Sequence, residues 1–422
     1  MNKRLLSVDV FRGATIMLMT IVNNPGNWDA VYAPFLHAEW HGCTPTDLVF
    51  PFFLFVVGIS VVLSMPNQNL DIFTFQKIVT RTLRIFLLGL FLNFFSKIHL
   101  LDFEGTPLLA FRLFLTLLVM ILLMGNYDKK YQFFGAISLF LLMLFLAFGG
   151  FEDFKAVRIP GVLQRIAIVY FIVSILYLKT KTSFQIFIGI AFLMLYWFLM
   201  GAVDVPNVGT ANFEKGTNLA AWLDNYLLEG HLWAVSKTWD PEGVLSTIPA
   251  IVTGLAGMFT GKLLRSQSIN NQNRFAILFI SGIVSIILGL AWNIYFPINK
   301  ALWTSSYMVY TAGIALVLLS ILYYLIEIQH LSFWTKPFVI FGVNPMLVFF
   351  FSGIIPRALN MIKVAVPNVP EPIGLQNYLY TYHIATHFSD PKMASMAGAI
   401  TYLIIWFVIL LILYRKKIIL KV

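Results

Sequence analysis

Apolar residues run along this sequence in stretches of about 20, the length needed to cross a ~30 Å hydrocarbon core as a helix, and short polar breaks close each stretch. The alternation of a membrane β-barrel is missing. The pattern predicts twelve spans, at about 9–22, 47–65, 77–96, 106–124, 131–149, 160–178, 183–201, 244–262, 274–296, 303–325, 334–354 and 393–414. The expected fold is therefore an all-α polytopic membrane protein, a bundle of about 12 transmembrane helices. With no internal repeat, soluble domain or low-complexity linker, residues 1–422 are expected to form a single membrane domain. The stretch Val22–Ser64 stands out, because it joins a polar, aromatic-rich loop to an uninterrupted apolar run.

Composition agrees with the pattern: 59% of residues are hydrophobic and 11% charged, against about a quarter charged in soluble proteins. A net charge of +10 raises the possibility of an anionic partner, but the positions of the charges favour a topological origin. With a cytoplasmic N-terminus, seventeen basic residues, among them Lys3, Arg4, Lys77, Arg81, Arg84, Lys129, Lys130, Arg415 and Lys421, fall on the cytoplasmic side. Nine, including Lys155, Arg158, Lys215, Lys300 and Arg357, fall opposite. The positive-inside rule then puts both termini in the cytoplasm and the loops 23–46, 202–243 and 355–392 outside. The N-terminal MNKRLLSVDVFRG shows no cleavage site, so the chain is expected to begin at Met1 and keep its first span. A single cysteine, Cys43, excludes an internal disulfide and a cysteine metal cluster. No nucleic-acid partner and no metal are expected. The outer loops are rich in Asn, Trp, Tyr and acids, which suits a sugar: aromatic faces cover its C–H surface and carboxylates or amides take its hydroxyls.

Ionisable groups within spans are costly and point to function. Arg12 lies one turn into the first span, three residues after Asp9, where it either neutralises that acid or faces an anion from the cytoplasm. Arg112 has the option of snorkelling to the outer surface. Arg165, in RIPGVLQRIAIVY, joins Gln164 in a polar patch with structural and functional explanations in balance. His37 precedes Asp47 by ten residues, and an imidazole oriented by a carboxylate is a competent general base near neutral pH. His41 competes with it, and nothing near Cys43 lowers a thiol pKa. Asp240 and Glu242 before the eighth span fit either a helix N-terminal cap or a grip on a cationic amine. WTSSYMVY from Trp303 and GVNP around Asn344 add polar groups to later spans.

These residues resemble the heparan-α-glucosaminide N-acetyltransferases and their bacterial relatives among the transmembrane acyltransferases. The resemblance rests on SVDVFRG (7–13), VNN (22–24), HAEWHGCTPTDLVFPFFLFVVG (37–58), RIPGVLQRIA (158–167), DPEGVLSTIPAI (240–251), PINKALWTSSYMVY (297–310) and FGVNPM (341–346), in family order. It implies acetyl transfer from cytoplasmic acetyl-CoA to the amine of a terminal glucosamine across the membrane. It puts the active-site histidine on His37, the aspartate on Asp47 and the asparagine on Asn23, with Asn24 the alternative. Two departures from the human-type pattern are expected: no N-terminal lumenal domain, and two additional apolar segments at about 106–149. A smaller amino sugar is then as suitable an acceptor as a polymer.

The function expected is that of a transmembrane acetyltransferase with His37 as general base or acetyl acceptor, Asp47 as its partner, and Asn23 or Asn24 at the oxyanion. Trp40, Asp240, Glu242 and Trp303 are the candidate sugar-binding residues; Arg12, Arg81, Arg84, Arg165 and Asn344 are the candidates for acetyl-CoA. The expected partners are acetyl-CoA as co-substrate, an amino sugar, the lipid bilayer and a second copy of the chain as a homodimer. The expected location is a bacterial inner membrane, with the site near its periplasmic face. The rivals are a secondary transporter or flippase for a sugar or glycolipid and an O-acetyltransferase acting on an envelope glycan.

Overall fold

The computed structural model describes residues 5–65, 69–99, 103–367 and 369–420; Met1, Lys3, Arg4 and Lys421 lie outside the described residues. In chain order the helices are α1 (Leu6–Asn23), α2 (Val49–Ser64), α3 (Ile72–Phe95), α4 (Gly105–Met124), α5 (Lys129–Phe148), α6 (Val162–Lys179), α7 (Thr182–Ala202), α8 (Leu219–Leu228), α9 (Thr247–Arg265), α10 (Asn271–Trp292), α11 (Ser305–Tyr323), α12 (Lys336–Val343), α13 (Pro345–Met361), α14 (Leu375–His383) and α15 (Pro391–Arg415). Among the described residues the only strands are Lys363–Val364 and Ile373–Gly374, paired antiparallel. Eleven helices are long and apolar enough to cross a membrane, and α12 with α13 brings the spans to twelve. The protein is an all-α, multi-pass integral membrane protein.

Helices coincide with the predicted spans to within a few residues, because the bilayer sets their length. The span at 334–354 departs from this: α12 and α13 meet at 75° across Asn344. Pro345, the first residue of α13, has no N–H to continue the ladder of α12. The Asn344 carboxamide is engaged at this break by the C-terminal tail, donating to the Ile418 carbonyl at 3.1 Å and accepting from the Leu420 N–H at 2.8 Å. The short helices α8 and α14 fall in polar stretches that the apolar pattern reads as loops.

α2 is the central helix. In its span 72% of residues are buried, against 17% for α5, α10 and α15, which turn most of their surface to lipid. It packs backbone to backbone on α9: a Cβ on Gly58 would lie 2.0 Å from the Gly254 carbonyl oxygen, and one on Gly257 would lie 1.9 Å from that of Phe55. Such contact without side chains is how membrane helices gain packing when lipid offers no hydrophobic drive. At the start of α2 the chain is also tied across the bundle end. Gly42 donates to Ile298 at 2.7 Å, Trp40 Nε1 to Phe213 at 2.8 Å, and Ile159 to His231 at 2.9 Å. The connections around 24–48, 149–161, 203–246 and 293–304 therefore share one end of the bundle.

Candidate active site

Asp47 ends up beside His37 for a local reason. Residues Pro45–Leu48 form a 3-10 turn leading into α2, and Thr44 with Asp47 makes a reciprocal capping box over it. One carboxylate oxygen, Oδ2, accepts from the Thr44 N–H at 2.9 Å, the Thr44 hydroxyl at 3.1 Å and the Ala38 N–H at 3.1 Å. The other, Oδ1, faces His37 Nδ1 at 2.6 Å. The Tyr307 hydroxyl donates to the Asp47 carbonyl at 2.6 Å. The Asp47 side chain is 1% accessible and that of His37 50%. A carboxylate fixed this way accepts a hydrogen bond from Nδ1–H, and Nε2 then carries the ring's lone pair on the open side.

The opposite wall is the 297–304 turn. Gly42, at φ +116, adopts a backbone that favours glycine and delivers its N–H to Ile298. The Asn299 side chain accepts from the Leu302 N–H at 2.9 Å and lies 3.4 Å from His41 Nδ1, so His41 serves the join between the two loops. Lys300 Nζ reaches to 3.5 Å from His37 Nε2. Burial lowers the Lys300 pKa, opposed by the fields of Glu242 and Asp47. The Cys43 pKa is pushed up to about 12, first by burial and then by the charge of Asp47. No thiolate forms there near neutral pH, and Cys43→Ser is expected to keep most catalytic turnover, measured as product formation by the full chain. Complete loss of turnover in a folded Cys43→Ser variant would make the thiol essential.

Behind this wall lies an ion cluster. Arg158 binds Asp240 through Nε at 2.7 Å and Nη2 at 2.5 Å, and Nη2 also meets Glu242 at 2.5 Å. Burial opposes the Arg158 charge, but the two acids outweigh it and raise its pKa. Burial raises the Asp240 pKa, whereas for Glu242 the positive fields of Arg158, Lys300 and Arg165 win and lower it. Asp224 of α8 accepts from the Val244 and Asp240 N–H groups at 2.8 and 3.2 Å; burial lifts its pKa to about 6. Asp240 and Glu242 do not cap α9, which begins at Thr247 after Ser246.

A second feature opens from the other end: a cavity of about 1040 Å³ bounded by α1, α2, α3, α5, α6, the α12–α13 break and the tail. Among the described residues its lining holds six basic side chains, Arg12, Lys77, Arg81, Arg84, Lys129 and Lys130, and no acidic one. Arg12 binds Asp9 at 2.6 Å and the Gly342 carbonyl at 2.7 Å. Arg84 donates to the carbonyls of Leu123 and Gly125 at the end of α4, a favourable place for a cation. Arg81 lies over the Tyr170 ring at 4.8 Å, and its buried Nε has no hydrogen-bond partner among the described residues. The cavity's apolar part is walled by Phe53, Leu163, Ile166 and Met346. Phe53 is six residues beyond Asp47, roughly 9 Å along the helix.

The structure thus brings His37 to Asp47, and Arg12 to Arg81 and Arg84. It leaves other expected residues apart. Asn24 donates to the Thr20 carbonyl of its own helix at 3.0 Å, Asn23 is exposed, and neither bonds His37 among the described residues. Trp303 is fully buried between Phe50, Tyr307 and Arg165, with no face for a sugar. Trp40 braces the Phe213 loop and meets Trp239 edge-on, which leaves only part of its ring accessible. Arg165 is buried under Gly243 and Ser246, on the His37 side, and does not line the cavity; Asn344 holds the tail instead of facing in. Lys300, Arg158 and Asp224 join the site without having been expected there. Lys300 and Arg158 stand within two of the family-like blocks, PINKALW and RIPG, but read in the sequence only as topological charges.

No protein-family model matches the chain. It is 30% identical to heparan-α-glucosaminide N-acetyltransferase of Homo sapiens over 397 aligned residues, which cover 82% of this chain and 52% of that protein. Against the Mus musculus protein of the same name it is again 30% identical over 397 residues, covering 82% and 53%. The chain spans about half the length of these curated relatives. Over this shared stretch the chain is similar to the heparan-α-glucosaminide N-acetyltransferases of both organisms.

Proposed function

We propose that the whole chain is one transmembrane acetyltransferase domain that moves an acetyl group from cytoplasmic acetyl-CoA to the amine of a glucosamine-type sugar on the other side. In this proposal the loops 23–46, 202–243 and 355–392 are extracytoplasmic, in a bacterial inner membrane the periplasmic ones. The observation that carries it is the cavity of about 1040 Å³ with six basic side chains, whose apolar part reaches Phe53 near the His37–Asp47 pair. Its size is at the upper end for ligand pockets. Cations suit the phosphates of the nucleotide, and the apolar part suits the acyl-bearing arm.

The chemistry then follows from the pair. His37 Nε2 takes a proton from the attacking amine, and Asp47 holds the ring's orientation and stabilises the imidazolium. The amine nitrogen bonds to the acetyl carbon, the carbon–sulfur bond breaks, and the thiolate takes the proton back from His37. Acetyl-CoA itself stays on its own side.

Sealed membrane vesicles test this. Transfer is expected with acetyl-CoA on the face carrying Lys129 and glucosamine on the face carrying His37, read as free thiol and N-acetylated sugar. Absence of both products with every amino sugar tried, or transfer only with the two sides exchanged, would overturn the proposal. Arg81→Gln is expected to weaken acetyl-CoA binding about tenfold, with sugar KM unchanged, because a charge-assisted bond contributes ~1.5–3 kcal/mol. Unaltered acetyl-CoA affinity would remove Arg81 from the donor site.

A further inference from the structure

Among the described residues, the reacting nitrogen of His37 has one cationic neighbour. Lys300 Nζ lies 3.5 Å from Nε2, while Nδ1 is committed to Asp47 at 2.6 Å. The backbone that presents Lys300 is fixed on both sides: Gly42 bonds Ile298, the Trp303 N–H bonds the Lys300 carbonyl at 3.1 Å, and buried Asn299 bonds Leu302 and Thr304. The fields of Glu242 and Asp47 reach Lys300, but Asp240 and Glu242 are bound by Arg158 and, among the described residues, Lys300 forms no ion pair. A group within reach of both Nε2 and Nζ is where a carbonyl under attack would sit.

We propose that Lys300 is a catalytic residue, its ammonium stabilising the oxyanion on the acetyl carbonyl when the His37-activated amine attacks. The proposal rests on the acetyl-transfer function above. As the new C–N bond forms, the C=O electron pair moves to oxygen, which accepts from Lys300 Nζ–H, and the amine proton goes to His37 Nε2. On collapse the C=O bond re-forms, the C–S pair leaves on sulfur, and sulfur takes the proton from Nε2. Thioester and amine become amide and thiol, and Lys300 ends as it began. Asn23 and Asn24, the oxyanion donors expected from the family resemblance, form no hydrogen bond with His37 among the described residues.

The test is steady-state kinetics of the full-length protein with acetyl-CoA and glucosamine. Lys300→Met is expected to lower kcat roughly 10²- to 10³-fold, the cost of losing one oxyanion donor, with the KM for acetyl-CoA little changed. Lys300→Arg, which restores a cationic donor, is expected to recover much of that loss. A ligand-induced thermal shift by acetyl-CoA shows that each variant is folded. If the methionine variant does not fold, Lys300→Gln replaces it, with roughly a tenfold or greater loss of kcat expected. A wild-type kcat in the neutral variant, or a raised KM at unchanged kcat, overturns the role of Lys300 while the acetyltransferase function stands. A wild-type protein inactive on every amino sugar overturns both.

Discussion

His37→Ala is expected to reduce acetyl transfer by ~10²–10⁴-fold, the usual worth of a general base, while acetyl-CoA still binds. The separation is possible because His37 lies outside the cavity lining, so its loss leaves the proposed donor site untouched. His41→Ala serves as the control: its contact is a 3.4 Å approach to Asn299, at a loop junction, and measurable turnover should remain. Asp47→Asn is expected to be nearly as damaging as loss of the imidazole. An amide at that position donates to Nδ1 instead of accepting from it, which moves the ring proton to Nε2 and removes the lone pair needed there. Single-turnover assays beside acetyl-CoA binding measure all three. A His37→Ala protein working at close to the wild-type rate would end the proposed mechanism, even in a proven acetyltransferase.

Arg158→Met should give the largest loss of stability, about 3–5 kcal/mol, because it strands two buried carboxylates that share one guanidinium. Its pH dependence identifies the cause. Without Arg158, Asp240 and Glu242 have folded-state pKa values above the ~4 of an unfolded chain. The folded variant then holds more protons than the unfolded one, and its stability falls as pH rises. The deficit relative to wild type is thus full near pH ~7 and shrinks towards pH ~4–5. Thermal unfolding in detergent at about pH 5 and about pH 7 measures it. An equal deficit at both values would point to lost packing by the arginine stem in place of stranded charge. Asp224, at about 6 in the wild type, already gives some loss of stability with rising pH, so the test reads the difference between the two proteins and not either curve alone.

The spans are legible in the sequence because a bilayer imposes length and apolarity on each segment separately, so every helix announces itself without reference to its neighbours. His37 and Asp47 are legible for a similar reason: ten residues apart, they are joined by a local turn. What local pattern does not carry is the facing of a side chain. Trp303 and Arg165 occupy polar-looking blocks, yet one is packed in the core and the other turns towards the end of the bundle opposite the basic residues of the cavity. Lys300 and Arg158 are hidden by distance along the chain, since they meet His37 and Asp240 from 263 and 82 residues away. Only a folded bundle brings those charges together. The bend at Asn344 has its signal in the Asn-Pro pair, but an otherwise apolar stretch of normal length masks it.

Phe50 and Trp303 meet edge to face with centroids 4.9 Å apart, and Tyr307, whose hydroxyl holds the Asp47 carbonyl, lies 5.4 Å from Trp303. A membrane bundle with a cavity of about 1040 Å³ at one end risks becoming an ion leak, which would dissipate the voltage of any energised membrane. Buried rings of this kind count against such a leak, since a dehydrated aromatic layer is a high barrier to a hydrated ion.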